Sequence, residues 1–238
     1  MLEVRGFVKR FGSRTVLDHL DAVVDEGRVT ALVGPNGSGK STLLKALWGE
    51  APADSGKLLW RGEPFDARST AWKRQVGAVP DDDALIEGLS IGGHFALCGG
   101  LSGLSPATVE DRSERLVRLF ALEDAMATTR MADEASRGNR KRLACALALL
   151  GEPELLLMDE PFSGLDAERA AALTSILRAL ASRGLTILLS CHDDGITRRV
   201  ADRFLLLRDG KAVTGQIGEL PRGPATVPDT EDLLPWLG

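Results

Sequence analysis

The sequence predicts an α/β fold with a mainly parallel sheet, an N-terminal antiparallel β-subdomain and an inserted α-helical subdomain. Residues 29–33, 155–158 and 186–189 are short, continuous apolar runs, as expected for parallel strands that are buried on both faces. A helical pattern joins the second and third runs, as in a right-handed strand-helix-strand unit. A chain of 238 residues, 44% hydrophobic and 26% charged, fits one large domain over residues 1–238.

The N-terminal segment predicts antiparallel strands. Apolar residues alternate with polar or charged ones over residues 2–8 and again over residues 20–24, and the second stretch ends at a Glu26-Gly27 turn signal. Alternation of this kind is typical of strands with one buried face. We therefore expect a β-subdomain ahead of the parallel sheet.

Caps and spacing predict the helices. Asp166 is a good N-cap, and Gly184 is placed to end the helix that Asp166 opens. A charged, periodic stretch begins at Ser105-Pro106 within a segment that contains clustered glycines, so we assign the helical subdomain to approximately residues 81–150. The tail, approximately residues 216–238, is rich in Pro and Gly and predicts mostly irregular structure.

Composition excludes several classes of function. A net charge of -5 and a pI of about 5.4 lack the basic excess that neutralises phosphates, so nucleic acid is not an expected partner. Three dispersed cysteines in apolar contexts predict buried thiols in a reducing cytosol, without metal or disulfide. The start lacks the pattern of a secretory signal, and no apolar run approaches the roughly 18 residues that span a bilayer. Any membrane role is therefore expected to come from a partner.

A glycine-rich segment directly follows the first apolar run. It matches the pattern GxxxxGK[ST], lies between a predicted strand and a helical stretch at residues 43–48, and so predicts a P-loop NTPase core. The glycines allow backbone amides to form an anion nest, Lys40 supplies a cation for the β- and γ-phosphates, and the Ser41 hydroxyl suits Mg²⁺. The ligand implied is a nucleoside triphosphate with magnesium. The predicted nucleotide-binding residues here are Gly34, Pro35, Asn36, Gly37, Ser38, Gly39, Lys40, Ser41 and Thr42.

Two adjacent carboxylates and a histidine follow the other apolar runs. Asp159 and Glu160 end the second run, where open α/β sheets place their ligand sites. Asp159 is the candidate carboxylate for Mg²⁺, and Glu160 is the candidate catalytic group that polarises the attacking water. His192 follows the third run and is expected at the same edge, where it can sense the γ-phosphate. A solvated Asp-Glu turn is the alternative for the pair taken alone, and His19 and His94 receive no role.

These motifs occur in the order found in ATP-binding cassette (ABC) ATPases. The P-loop is followed by Ala-Ser-Arg-Gly-Asn at residues 135–139, Met-Asp-Glu at 158–160, Ser-Gly-Leu-Asp at 163–166 and His192, so the chain resembles this family over roughly residues 1–215. The resemblance implies ATP and Mg²⁺ as cofactors, with Lys40, Glu160 and His192 as catalytic residues. It also implies a homodimer, or a heterodimer with a related ABC ATPase, on the inner face of the cell membrane with a transmembrane permease subunit.

The resemblance also implies roles for several single residues. Phe11 is similar to the aromatic that stacks on adenine, with a buried strand-edge phenylalanine as the alternative. Ser136 and Gly138 occupy the signature that contacts the nucleotide of the opposite subunit, although Ala135, Arg137 and Asn139 depart from the usual LSGGQ. Asp81 stands where the family usually has Gln, at a residue that touches Mg²⁺ or the water and begins the loop facing the permease. An acidic turn residue is its alternative.

Two other functions compete with the transporter motor. A soluble ABC ATPase acting on a macromolecule is disfavoured on two grounds. Only 125 positions separate Gly34 from Asp159, too few for the long coiled coil of chromosome-type relatives. The chain also has a single cassette with net negative charge, whereas translation factors of the family have two cassettes and usually basic surfaces. A regulatory, non-hydrolysing cassette is disfavoured because the residues for hydrolysis are present. The Phe162-Ser-Gly-Leu-Asp run, Arg137 and a short C-terminal segment resemble bacterial exporter subunits, so export is the expected direction. The transported substrate is not encoded in this chain.

Overall fold

The protein is described by a computed structural model over residues 1–220. Those residues form two sheets with helices packed against them. The strands are β1 (Leu2–Phe11), β2 (Arg14–Val24), β3 (Val29–Val33), β4 (Ser55–Trp60), β5 (Glu63–Pro64), β6 (Val76–Val79), β7 (Leu155–Met158), β8 (Thr186–Ser190), β9 (Arg203–Arg208) and β10 (Lys211–Gln216). The α-helices are α1 (Lys40–Leu47), α2 (Thr70–Lys73), α3 (Ile91–Leu101), α4 (Pro106–Leu119), α5 (Glu123–Thr128), α6 (Arg137–Leu149), α7 (Ala167–Ser182) and α8 (Asp194–Val200).

The N-terminal sheet is antiparallel, as the alternation predicts. Its strand order is β2-β1-β4-β5, and β1 pairs with both β2 and β4. Apolar side chains of β1 and β2, including Leu2, Phe7, Leu17 and Leu20, are fully buried, and most of their polar neighbours lie at the surface, with Glu3 as a buried exception. The predicted strands are therefore confirmed, and both are longer than the alternating stretches that indicated them.

The second sheet is mainly parallel and contains all three predicted buried strands. Its order is β10-β9-β3-β8-β7-β6, with only the β9–β10 pair antiparallel. Every residue of β7 and β8 is buried, which explains why these strands are uninterrupted apolar runs. Because β6, β7, β8 and β3 are parallel neighbours, their carboxyl ends meet at one edge of the sheet.

The helices agree with the predicted caps, and one of them contains the clustered glycines. Asp166 accepts a hydrogen bond from the backbone amide of Arg169 at 2.8 Å and caps α7, and Gly184 follows that helix with φ of 101°. Helix α1 begins at Lys40, earlier than the predicted residue 43. The clustered glycines lie in α3, where a Cβ on Gly99 would come within 2.2 Å of Val109 in α4. The glycine therefore permits close packing of two helices.

The segment over residues 81–150 contains helices α3 to α6. Their buried residues belong to the same apolar cluster as β7, β8 and α7. Helix α6 lies so close to β6 that a Cβ on Gly77 would be 2.3 Å from the carbonyl oxygen of Ala148. The predicted subdomain boundary remains a prediction, and its helices are packed directly against the sheet.

The C-terminal part adds strands that the sequence patterns did not indicate. Strands β9 and β10 form a hairpin at one side of the parallel sheet. The predicted irregular tail begins with a short 3₁₀ turn at Ile217–Glu219, and its residues 221–238 lie outside the described residues. Among residues 1–220, no helix has the length and apolar character needed to cross a membrane. The three cysteines are free, and Cys145 and Cys191 are buried.

Candidate active site

The phosphate loop, the acidic pair and His192 lie together at the carboxyl edge of the parallel sheet. Gly34 follows β3, Asp159 and Glu160 follow β7, and His192 lies two residues after β8. Strand β8 lies between β3 and β7, so the glycine-rich loop, the acidic pair and the histidine come from three adjacent strands. Asp81 lies two residues after β6, the next strand along this edge.

The loop before α1 has a backbone that only glycine can adopt at two of its positions. Gly34 has φ of 146°, and a Cβ there would lie 2.4 Å from the carbonyl oxygen of Leu207. Gly39 has φ of 104°, and its Cβ would lie 2.7 Å from Leu17. The loop is thus held between the second sheet and β2, and it leads directly into the N-terminus of α1. This is the geometry of a phosphate cradle.

Two side chains of the loop fit a triphosphate. The Lys40 ammonium donates to the carbonyl oxygens of Gly34 at 2.8 Å and Pro35 at 3.1 Å, so it lies within the loop. Burial lowers the pKa of Lys40, and the carboxylates of Glu160 and Asp159 partly oppose this shift. The hydroxyl of Ser38 is buried and has no hydrogen-bond partner among residues 1–220. A ligand oxygen in the cradle would satisfy it.

The acidic pair is held by a residue of the neighbouring strand. Ser190, at the end of β8, donates from its hydroxyl to Asp159 Oδ1 at 2.7 Å. The Ser190 hydroxyl oxygen in turn accepts a hydrogen bond from the backbone amide of Glu160 at 2.8 Å. Asp159 is buried, and Glu160 has a left-handed backbone with φ of 47°, which is uncommon for a residue other than glycine. The carboxylates therefore lie at the sheet edge with a fixed backbone between them.

His192 contacts Glu160 directly. Its Nδ1 lies 2.8 Å from Glu160 Oε2, and the imidazole is largely exposed while the carboxylate is mostly buried. An ionised carboxylate only accepts hydrogen bonds, so the proton lies on Nδ1 and Nε2 is the nitrogen available to another group. Asp159 and Ser41 supply the oxygen ligands that Mg²⁺ prefers, and the residues present fit that ion.

The signature residues lie at the start of α6. Ser136 caps this helix by accepting from the amide of Asn139 at 3.2 Å, and Gly138 is buried. The side-chain amide oxygen of Asn139, Oδ1, accepts a hydrogen bond from the Arg142 guanidinium. Arg137 donates to the Ser163 hydroxyl at 3.0 Å, which joins the signature to the Ser-Gly-Leu-Asp segment. Arg137 and Asn139, which differ from the usual LSGGQ signature, therefore both form hydrogen bonds within this chain.

Asp81 is exposed, and its backbone is held by a buried lysine. The ammonium of Lys141, from α6, donates to the Asp81 carbonyl oxygen at 2.9 Å and to that of Pro80 at 3.3 Å. Lys141 also forms an ion pair with the buried carboxylate of Asp83 at 2.7 Å. The Asp81 loop is thus fastened to the helix that begins at the signature.

Phe11 and His19 are exposed, whereas His94 is buried. Phe11 is 54% exposed at the end of β1, with the Lys9 ammonium 5.3 Å from its ring centre, so the alternative of a buried strand-edge residue is wrong. His94 is buried, accepts from the Ile86 amide at 2.9 Å and contacts the Ser90 carbonyl oxygen. His94 therefore has a structural role, and the exposed His19 contacts Asp18.

Sequence reasoning missed three residues that support this site. Ser190, Lys141 and Asp83 contact candidate site residues but belong to no motif quoted above. Ser190 carried one signal, because it is the polar residue that ends an apolar run two positions before His192. No sequence signal marked Lys141 and Asp83, because charged residues in the basic first turns of a helix or in an acidic turn are usually exposed to solvent.

The fold and the site define an ATP-binding cassette ATPase. A family model described as ABC transporter matches residues 17–163, and the chain belongs to this family. It is an ABC transporter ATP-binding subunit with ATPase activity.

The relatives include proteins named for export and proteins named for import. The Nod factor export ATP-binding protein I of Rhizobium sp. (strain N33) is 35% identical over 210 residues, covering 88% of this chain and 68% of the relative. The Fe(3+) ions import ATP-binding protein FbpC of Streptomyces coelicolor is 37% identical over 227 residues, covering 94% of this chain and 64% of the relative. The chain thus spans about two thirds of the length of these relatives.

Solved structures share the fold over nearly the whole chain. An ATP-binding subunit of an ABC transporter superposes with a TM-score of 0.83 and 31% identity, covering 92% of this chain and 91% of the other. The dimeric bacterial cassette MJ0796 has a TM-score of 0.83 and 23% identity, covering 94% of this chain and 100% of the other, which shows the fold alone.

Proposed function

We propose that this subunit energises export through a separate transmembrane permease, with two cassettes that close on ATP and open after hydrolysis. The observation that carries the proposal is the meeting of the phosphate cradle, Asp159, Glu160 and His192 at one sheet edge. Cassette closure of this kind would convert the free energy of ATP binding into movement of the partner. Through that permease the chain would lie on the cytoplasmic face of the cell membrane.

Each site residue has a proposed part in hydrolysis. Lys40 and the loop amides bind and orient the β- and γ-phosphates, with the exposed ring of Phe11 against adenine. Ser41 and Asp159 would hold Mg²⁺, with Asp81 contributing through a bridging water, and that ion would neutralise charge on the phosphates. Glu160 accepts a hydrogen bond from the attacking water and polarises it, and His192 Nδ1 holds the Glu160 carboxylate in place.

The second cassette would complete each site. Ser136 and Gly138 lie at the amino end of α6, where a hydroxyl, a bare backbone and the helix dipole favour an anion. We infer that they contact the γ-phosphate bound by the opposite chain. A homodimer is sufficient for this arrangement, and a related ABC ATPase could replace one copy.

An apolar groove supports contact with a permease. It has a volume of about 370 Å³, lies between β6, α3 and α6, and borders the Asp81 loop through Pro80 and Asp83. Leu101 is 76% exposed at its rim. An apolar segment of the permease would bury this surface. The other apolar residues that line the groove include Val76, Ile86, Leu97 and Leu147.

Export is proposed from Arg137 and the Phe162-Ser-Gly-Leu-Asp run, which resemble exporter subunits. Arg137 contacts this run through Ser163. Co-purification of the native complex would identify the permease, and transport into inverted vesicles would test the direction. Uptake by right-side-out vesicles, energised by internal ATP, would contradict export.

The Glu160→Gln variant tests hydrolysis and dimerisation together. It should bind ATP but turn over at least about 10²-fold more slowly, because the group that polarises the water is lost. With Mg-ATP it should elute as a dimer, whereas Lys40→Ala should neither bind ATP nor dimerise. The exposed Glu114→Gln on α4 is the matched control. Normal turnover in Glu160→Gln would remove Glu160 from the mechanism, and a monomer at saturating ATP would contradict the homodimer.

A further inference from the structure

Ser190 connects the two carboxylates of the site through a single hydroxyl. It ends β8, is fully buried, and makes one bond to the Asp159 carboxylate and one to the Glu160 amide. The direction of both bonds follows from their chemistry. An ionised carboxylate can only accept and an amide N–H can only donate, so the hydroxyl proton lies towards Asp159 and a lone pair lies towards Glu160.

We propose that Ser190 is a positioning residue for ATP hydrolysis, which sets the orientation of Asp159 and the backbone of Glu160 at the same time. The inference rests on the hydrolytic roles proposed for these two acids. Ser190 itself touches neither water nor phosphate in this role. It acts through the two groups that do.

Asp159 needs a fixed donor because its carboxylate is buried. A buried charge is costly unless it is hydrogen-bonded, and Ser190 supplies a bond of 2.7 Å to Oδ1. The bond from the hydroxyl therefore fixes the rotation of the carboxylate that would hold Mg²⁺.

Glu160 needs support because its backbone is left-handed. Successive side chains along a strand point to opposite faces, and the chain leaves that alternation at Glu160, where φ is 47°. The bond from its amide to Ser190 fixes this turn. His192 then fixes the far end of the same side chain at 2.8 Å. Glu160 is thus held at its amide and at its carboxylate by two residues of one strand end.

The role of Ser190 is separable from nucleotide binding. Within residues 1–220, both hydrogen bonds of its hydroxyl go to the acidic pair, and neither goes to the loop at residues 34–42. Loss of the hydroxyl should therefore lower kcat and leave the affinity for ATP nearly unchanged. A general destabilisation would instead lower the amount of active protein at the same kcat.

Three variants test the proposal. Ser190→Ala should lower kcat by about ten- to a hundredfold, as expected for loss of a hydrogen bond to a charged group, with an unchanged dissociation constant for ATP. The Mg²⁺ concentration for half-maximal activity should rise. Ser190→Thr keeps the hydroxyl and should recover most of kcat. Thr186→Val is the control, because it removes a buried hydroxyl that serves Gly27 at the opposite end of β8. It should lower the melting temperature without changing kcat.

Amide hydrogen exchange gives a readout that does not depend on activity. The Glu160 amide should exchange faster in Ser190→Ala than in the wild type or in Thr186→Val, while amides in the middle of β7 keep their protection. A kcat of Ser190→Ala within twofold of the wild type, or unchanged exchange at Glu160, would overturn the proposal. If Glu160→Gln turned over as fast as the wild type, the proposed role of Glu160 in hydrolysis would fail, and exchange at the Glu160 amide in Ser190→Ala would still report on the contact with Ser190.

Discussion

Single residues set the electrostatics of the cradle, and Lys40 is subject to two opposing influences. Burial disfavours its ammonium and lowers its pKa, and Glu160 and Asp159 act in the opposite direction. The Lys40 ammonium interacts electrostatically with the Glu160 and Asp159 carboxylates while it donates hydrogen bonds to the loop carbonyl oxygens. A phosphate would supply a further negative charge and shift the balance back towards the protonated form.

The first prediction concerns the pH dependence of ATP binding. Because the pKa of Lys40 is lowered, its charge should be lost at a lower pH than that of an ordinary lysine, and ATP affinity should fall there. Binding at alkaline pH should take up protons, since the bound phosphates favour the ammonium. Calorimetry from about pH 7 to about pH 10, in buffers with different ionisation enthalpies, measures this uptake.

A matched variant isolates the lysine. In Lys40→Arg the guanidinium does not lose its proton in this range, so proton uptake should vanish even if affinity is weaker. Equal uptake in the wild type and in Lys40→Arg would show that another group titrates.

At the scale of elements, helix α6 is fastened to the loop after β6 by a buried ion pair. Lys141 and Asp83 are almost fully buried and lie 2.7 Å apart, and Lys141 also binds two carbonyl oxygens of that loop. A buried pair gains little net free energy, because both charges lose their hydration. Removal of Lys141 is costly, because the Asp83 carboxylate stays buried and the Arg140 guanidinium, its other charged partner among residues 1–220, lies 3.8 Å away.

The second prediction follows from this asymmetry. Lys141→Met should lower the free energy of unfolding by about 3–5 kcal/mol, and the double variant Lys141→Met with Asp83→Asn should recover a large part of it. Urea unfolding measures both. Arg118→Met, which removes an exposed pair with Glu114, should change stability by less than about 1 kcal/mol. A double variant no more stable than Lys141→Met would show that the charge of Asp83 is not the cause.

The third prediction concerns the loop that Lys141 holds. Asp81 is exposed, and the groove beside it is the proposed permease contact. Asp81→Ala should therefore change the ATPase rate of the isolated subunit by less than about tenfold, because one water-mediated contact is worth only about 1 kcal/mol. It should impair transport in the reconstituted complex, and Asp82→Ala, its exposed neighbour, should not.

Two results would correct this assignment. A collapse of ATPase activity in isolated Asp81→Ala would make Asp81 a catalytic ligand. Normal transport by the reconstituted variant would make it an ordinary turn residue.

At the scale of the whole molecule, the cradle joins the two sheets. Gly34 lies against Leu207 of the parallel sheet, and Gly39 lies against Leu17 of the antiparallel sheet. A ligand that binds the loop in the native state only should therefore stabilise the cooperative unfolding unit as a whole.

The fourth prediction is a thermal shift. ATP with Mg²⁺ at about 100 times the dissociation constant should stabilise Glu160→Gln by about 2.7 kcal/mol, which raises the melting temperature by about 5–10 °C for a chain of this size. Differential scanning calorimetry measures the shift. Lys40→Ala should show none, and an equal shift in that variant would place the nucleotide elsewhere.

Much of the fold was predictable because its signals are local. The buried strands at residues 29–33 and 155–158 are confirmed, since a strand covered on both faces must be apolar throughout. The helix after Asp166 was recognisable from its cap. Strand β9, another apolar stretch, and its hairpin partner β10 were not predicted, although the Asp209-Gly210 pair between them is a local turn signal.

The sequence by itself determined the chemistry of this protein, and the tertiary structure decided its geometry. The phosphate loop is contiguous, so its glycines and Lys40 identify it without knowledge of the fold. The bond from Ser190 to Asp159 joins residues 31 positions apart, and that from Lys141 to Asp81 joins residues 60 positions apart. Which distant side chains meet depends on strand order and on which face each residue occupies. Those are settled only when the strands pair and the core packs.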